Sequence, residues 1–370
     1  MSSSAEAGPA QITNSIFSTL GLDTPNPLSL ASSTGPEVLL LVDGLGSFIF
    51  DLFAHEIPIM NGQSSASATI LRSHFPSTTV TNLTSLGTGE LPGSHGMVGY
   101  TMRIPFAAEG TPQLLNGLKW DPRIDPQTWQ RRSTLFERGA RVGIESSHIA
   151  SRRYEGSGFT LAALRGARYL PAQSDDEIIA ALDVATGSSM SFTYIYLNDV
   201  DEAGHAHGVG SEKWISALRR VDSLVEKLLL ALPRGSRLWI TADHGMVNAG
   251  EKVVLGEGNH LLEDVDLLGG EPRARHLYLS GHGIDDRKEA IKARWREFFG
   301  ERIELLDARQ AYGEDVDPKI ADRIGEIIAV PTDATVLIEP ERKETQSRMI
   351  GHHGARTELE TAIPLRCFAR

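Results

Sequence analysis

Short apolar runs alternate along the chain with longer segments in which apolar residues recur every three or four positions. The runs at Glu37–Val42, Arg141–Glu145, Phe192–Leu197, Arg237–Thr241 and His276–Ser280 predict strands buried on both faces. Between Ser211 and Leu232, Trp214, Leu218, Val221, Val225 and Leu228 keep helical spacing, and Pro233 ends the helix. A second helix is expected over Asp285–Phe299. Strands alternating with helices predict an α/β fold around a mostly parallel central sheet. The residues that carry chemistry come from both ends of the chain. One domain over 1–370 is therefore expected, with a smaller lobe, about 250–345, inserted into it.

Composition narrows the function. The 370 residues carry 36 Lys+Arg and 48 Asp+Glu, a formal net charge of −12. That balance argues against a nucleic-acid-binding surface, where a basic footprint supplies most of the affinity. It leaves room for a small phosphate-bearing substrate, because bound cations reverse the local field. The single cysteine, Cys367, excludes a disulfide framework and multi-cysteine metal sites, and reads as a small buried hydrophobe. The N-terminal stretch has no signal-peptide pattern, and the longest apolar run, Val38–Val42, is too short to span a bilayer. A cytoplasmic location with no membrane association is expected, and oligomeric state is not encoded in any recognisable pattern.

Polar residues collect just after the predicted strands. Asp43 follows LLLV and precedes Gly44; Asp199 and Asp201 follow FTYIYL, with His205 four residues beyond Asp201; Asp243 and His244 end LWITADH. Ligands of open α/β sheets bind outside the carboxyl ends of the strands, so these side chains are expected on one rim. Converging carboxylates repel one another unless cations neutralise them, and Asp with His suits zinc, manganese or another first-row metal. GHHG at 351–354 adds His352 and His353. In FPSTTVTNLTSLGTG (75–89), a Ser/Thr-rich loop enters an amphipathic helix, whose N-terminus favours a phosphoryl group. A hydroxyl there is a weak nucleophile until a base or metal activates it.

In order, VDGLG, FPSTTVTN, DEAGH, TADHG and GHHG resemble the motifs of the alkaline phosphatase superfamily, and most closely its nucleotide pyrophosphatase/phosphodiesterase branch. The resemblance spans 43 to 354 and implies a three-layer α/β/α sandwich with two divalent metal ions, zinc being the first choice. It implies one metal held by Asp201, His205 and His353. The other would be held by Asp43, Asp243 and His244 and faced by the Thr79 hydroxyl. Pro76, Ser77, Thr78, Thr79, Val80, Thr81 and Asn82 match the family's nucleophile loop, which assigns the nucleophile to Thr79. In that mechanism the Thr79 oxygen attacks phosphorus in line, and the resulting phospho-threonine is hydrolysed.

The chain departs from the nucleotide-cleaving members at two places. Val80 stands where they carry a base-stacking aromatic, and Gly99 and Tyr100 occupy the region of an asparagine that donates to the phosphoryl oxygen. The expected reaction is hydrolysis of a phosphodiester or pyrophosphate bond in a small-molecule phosphate ester. Alternatives are a phosphomonoesterase or phosphonate hydrolase of the same superfamily, or a catalytically silent metal-binding protein. A monoesterase needs a cation for the extra phosphate charge, and Arg72, Arg103, Arg152 and Arg153 are candidates. Asp199 reads as a structural acid, while His352 and His207 read as residues that orient ligands or face solvent. His74 and His95 lie near the nucleophile loop in sequence alone. Activity is expected to favour neutral to alkaline pH, since histidine ligands must be neutral.

Overall fold

The computed structural model describes residues 7–62, 69–105, 107 and 113–370. Among the described residues, one sheet has seven strands. In chain order we number these β1 (Glu37–Val42), β2 (Thr69–Arg72), β3 (Glu145–Ala150), β4 (Arg168–Pro171), β5 (Ser191–Leu197) and β6 (Arg237–Thr241), with Ala362–Ala369 as the last strand. The spatial order is β2, the Ala362–Ala369 strand, β6, β1, β5, β3 and β4. The pairings of β1 with β5 and β6, and of β3 with β4 and β5, are parallel, while Ala362–Ala369 runs antiparallel to both its neighbours. Every residue of Glu37–Val42 is buried, as a central strand covered on both faces requires.

Register decides what this sheet offers at its edge. Val42 lies opposite Leu197 of β5, and Leu41 lies opposite Thr241 of β6. The three strands therefore end level, and Asp43, the segment from Asn198, and Asp243 leave the sheet side by side. Helices flank it. We number them α1 (Pro9–Thr19), α2 (Thr79–Thr88), α3 (Asp199–His207), α4 (Glu212–Ala231) and α5 (Ile284–Phe299). The predicted stripe of α4 is buried at Trp214, Leu218, Val221, Val225 and Leu228, with Ser211 capping its start by accepting from the Trp214 N–H.

Two predicted strands are displaced. Arg141–Glu145 is a turn up to its last residue, with Gly143 at φ 86°, and β3 begins where the predicted strand ended. Its sequence, ESSHIA, is too polar for an apolar-run criterion, yet Ser147 and His148 are buried. His276–Ser280 begins two residues earlier, at Ala274, and lies in a different, antiparallel sheet. That sheet places Leu267–Glu271, Ala274–Tyr278, Ile327–Pro331 and Ile303–Leu306 side by side in this order. Beneath it lies a separate hydrophobic cluster running from Val253 to Leu337 and including Trp295 and Phe299 of α5. No helix of the described residues is long and apolar enough to cross a membrane.

Candidate active site

Thr79 is the first residue of α2, and its cap residue, Thr78, makes no side-chain capping hydrogen bond. The N–H groups of that first turn are thus left to the space in front of the helix. The loop leading in is tied down by Asn82, whose Nδ2 donates to the carbonyls of His74, Pro76 and Thr78. The Thr79 hydroxyl lies 3.3 Å from Asp43 Oδ2 and 3.3 Å from His244 Nε2. His244 Nε2 is in turn 3.3 Å from Asp43 Oδ1 and 3.3 Å from Asp243 Oδ2.

A second group adjoins it. His205 Nε2 is 3.4 Å from Asp201 Oδ1, as residues four apart on α3 allow, and His353 Nε2 is 3.2 Å from His205 Nε2. His353 stacks on His244 with ring centroids 3.7 Å apart, which joins the two groups. The metal-ligating atoms of Asp201, His205 and His353 lie within 4.8 Å of one another, and so do those of Asp43, Asp201 and His244. All seven residues singled out in the sequence therefore meet. Asp201 belongs to both clusters, whereas Asp243 reaches the second through His244, its Oδ1 accepting from the Gly44 and His244 N–H groups.

The donor set fits a two-metal site. Asp43 Oδ1, Asp201 Oδ1 and Asp243 Oδ2 are buried without a hydrogen-bond partner, an arrangement that demands compensation by a cation. Burial raises the carboxyls of Asp43, Asp201 and Asp243 above their ordinary range, and Asp43 is raised further by the charges of Asp243 and Asp201. Burial likewise holds His244 and His353 below the usual histidine range, in the neutral form a metal needs. The Nδ1 atoms of His205, His244 and His353 face the carbonyls of Gly351, Gly245 and Ser77 at 2.8, 3.0 and 2.9 Å. That fixes the tautomer and leaves each Nε2 for coordination.

The neighbouring candidates separate clearly. Asp199 forms an ion pair with Arg220 at 2.5 Å. His207 is exposed at the end of α3. His352 is buried with its ring 6.3 Å from that of His205, so it packs beside the cluster. His95 faces Ser85 Oγ and accepts from the Met97 N–H, and His74 accepts from the Ala10 N–H, so both are absorbed in the fold. Among the arginines, Arg72 pairs with Glu358 and Arg103 with Glu326. Arg152 pairs with Glu155 at the surface, while Arg153 lines a cavity beside the site.

Three residues escaped the sequence reading. Tyr196 donates to Asp43 Oδ2 at 2.5 Å, holding the carboxylate that faces Thr79. Glu271 accepts from the Tyr100 N–H at 2.7 Å, which accounts for Tyr100 through its backbone, and burial raises its carboxyl to about 8. Arg273 makes a bidentate ion pair with Glu360, both fully buried, and Glu360 accepts from the Ala355 N–H just past GHHG. The contacts of Tyr196 with Asp43, Glu271 with Tyr100 and Arg273 with Glu360 each join residues more than 85 positions apart, and no local motif signals them.

A level row of strand ends carrying paired Asp/His clusters and a threonine at a helix N-terminus defines a two-metal α/β protein of the alkaline-phosphatase-like kind. The chain belongs to the type I phosphodiesterase / nucleotide pyrophosphatase family, whose family model matches residues 38–356. It is 24% identical over 244 residues to ectonucleotide pyrophosphatase/phosphodiesterase family member 1 of Mus musculus, covering 61% of this chain and 25% of that protein. It is 24% identical over 227 residues to venom phosphodiesterase of Macrovipera lebetinus, covering 57% of this chain and 25% of that protein. The chain thus spans about a quarter of the length of these curated relatives. Murine ectonucleotide pyrophosphatase / phosphodiesterase 5 shares the fold, with a TM-score of 0.66 at 17% identity over 90% of this chain and 88% of that one. An inactive form of the same murine protein, in complex with AMP, superposes with a TM-score of 0.64 at 16% identity, covering 90% of this chain and 87% of that one.

Proposed function

We propose that the protein hydrolyses a phosphodiester or pyrophosphate bond in a small molecule, with Thr79 as the nucleophile. The observation that carries this reading is the Thr79 hydroxyl poised 3.3 Å from both Asp43 and His244. The family and the relatives' names, nucleotide pyrophosphatase and phosphodiesterase, support the bond class. In this reading Asp201, His205 and His353 hold one metal ion, and Asp43, Asp243 and His244 the other. Zinc suits three imidazoles with three carboxylates. When bound, the two cations supply charge compensation for the phosphoryl oxygens and lower the pKa of the hydroxyl.

The chain's own residues do the rest. Thr79 Oγ1 forms a bond to phosphorus as the bond to the leaving oxygen breaks, and the hydroxyl proton has Asp43 Oδ2 within reach as its acceptor, 3.3 Å away. Water then attacks phosphorus, breaks the Oγ1–P bond and restores Thr79, while the free N–H groups of the first turn of α2 stabilise the phosphoryl oxygens. Residues about 250–345 act as an inserted lobe on the leaving-group side, a reading supported by their separate sheet and hydrophobic cluster. A cytoplasmic location fits the single cysteine, and recovery of the protein from the medium or periplasm would overturn it.

The test compares bis(p-nitrophenyl) phosphate with p-nitrophenyl phosphate on metal-loaded protein. Diester turnover should exceed monoester turnover, and Thr79→Ala should lose at least about a hundredfold. A monoester preference lost in the same variant would move the protein to the phosphatases. Turnover of neither substrate would overturn the hydrolase reading.

A further inference from the structure

Beside the metal cluster, at the carboxyl ends of β3, β4 and β5, lies a cavity of about 350 Å³. Ser151, Arg153, Gln173, Tyr196, Asn198 and Glu202 line it. Tyr196 connects it directly to the chemistry, since this residue lines the cavity and its hydroxyl holds Asp43. A group attached to a phosphorus in front of Thr79 can therefore extend into this space. The volume is at the low end for a small-molecule site and suits a single ring.

The walls say what kind of ring. Charges cancel locally: Arg153 lies 3.5 Å from Glu202, and Arg220 is held by Asp199 at 2.5 Å. A second phosphate would find no uncommitted cation there. The remaining polar groups are planar amides, a carboxylate and a hydroxyl, with Asn198 Nδ2 donating to Glu202 at 3.0 Å and Gln173 Nε2 to Ser151 Oγ at 3.1 Å. Such groups offer paired donors and acceptors that match neighbouring hydroxyls, while the Tyr196 ring offers an apolar face for ring C–H groups. A nucleobase would need an apolar slot instead. The position after the nucleophile does not supply one, because Val80 is fully buried and packs against Gly117.

Building on the hydrolase reading, we propose that this cavity is a specificity subsite for a polyhydroxylated ring, a sugar or cyclitol, esterified to the scissile phosphate. Arg153 and Gln173 donate to its hydroxyls, Glu202 accepts from them, and Tyr196 lies under the ring.

The test uses three p-nitrophenyl phosphodiesters whose other group is methyl, glucose (through O6) or thymidine (through O5′). On metal-loaded protein, kcat/KM for the glucose ester should exceed that for the methyl ester by at least about tenfold and also exceed that for the thymidine ester. Arg153→Leu and Gln173→Leu, both at exposed positions, should each cut the glucose-to-methyl ratio by about fivefold to tenfold. A ratio near one, a ratio that neither variant moves, or a preference for the thymidine ester would overturn the proposal. Thr79-dependent turnover of the methyl ester separates failure of the subsite from failure of the hydrolase reading. Should turnover be absent, calorimetric titration of metal-loaded Thr79→Ala protein decides. Tighter binding of glucose 6-phosphate than of AMP, weakened by Arg153→Leu, supports the subsite, and AMP binding as tightly or more tightly overturns it.

Discussion

His148 sits in β3 between Tyr169 and Tyr194, with ring centroids 4.7 and 4.9 Å away, and both its nitrogens are buried without hydrogen-bond partners. Burial pushes its pKa down to about 3. The unfolded chain binds a proton there near pH 6.5, while the folded protein stays neutral down to about 3. The stability from keeping this imidazole neutral is therefore complete above pH 6.5 and is lost as pH falls from 6.5 toward 3, by up to about 1.4 kcal/mol per pH unit. His148→Phe keeps a planar ring between the two tyrosines and removes that loss. We expect urea midpoints of the variant to fall less steeply than wild type between pH 6 and 4. Parallel curves would show that the ring is not held neutral.

At the scale of elements, what matters is how the strand from Leu267 to Glu271 and the one from Ala274 to Tyr278 grip the segment after GHHG. Their connecting turn carries Arg273, whose guanidinium meets Glu360 with both side chains fully buried and also donates to the Asp333 and Thr335 carbonyls. Glu360 holds the Ala355 N–H, and Gly354 N–H donates to Ser77 Oγ beside the nucleophile. Removing one partner of such a pair leaves a buried charge without compensation. Arg273→Leu should lower unfolding free energy by about 3 kcal/mol in denaturant titration, and Arg273→Leu/Glu360→Leu should recover part of that loss. A double variant less stable than the single one would mean that the pair matters through packing alone. This linkage was invisible in the sequence, where nothing in GGEPRAR marks a tether to residue 360. By contrast, DEAGH was readable because one turn of helix brings Asp201 and His205 together, and TADHG because a strand end delivers Asp243 and His244. Tyr196 falls between these cases. Its place in a strand was predicted, but its hydroxyl's target, Asp43, follows only from the register of β1 against β5. β3 was misplaced for a related reason: its neighbours bury Ser147 and His148, and a pattern of apolar residues cannot report burial imposed by pairing.

Across the whole molecule, the clusters draw together residues 43, 79, 201, 205, 243, 244 and 353, so the ligands close the chain over most of its length. Asp43, Asp201 and Asp243 are buried near one another with oxygens that nothing in the protein satisfies. A cation that binds this arrangement and not the unfolded chain must stabilise the fold, by about 4 kcal/mol when its concentration is a thousand times its dissociation constant. Chelation should therefore lower the melting temperature as well as abolish turnover, and adding back zinc or manganese should restore both. The melting shift is the more telling measurement, because it does not depend on knowing the substrate. Asp201 belongs to both clusters, so Asp201→Asn should flatten the metal dependence of melting more than Asp243→Asn, whose carboxylate reaches only the second cluster through His244. Equal effects of the two variants would show that Asp243 takes a larger part in holding the ions than the contact distances assign to it.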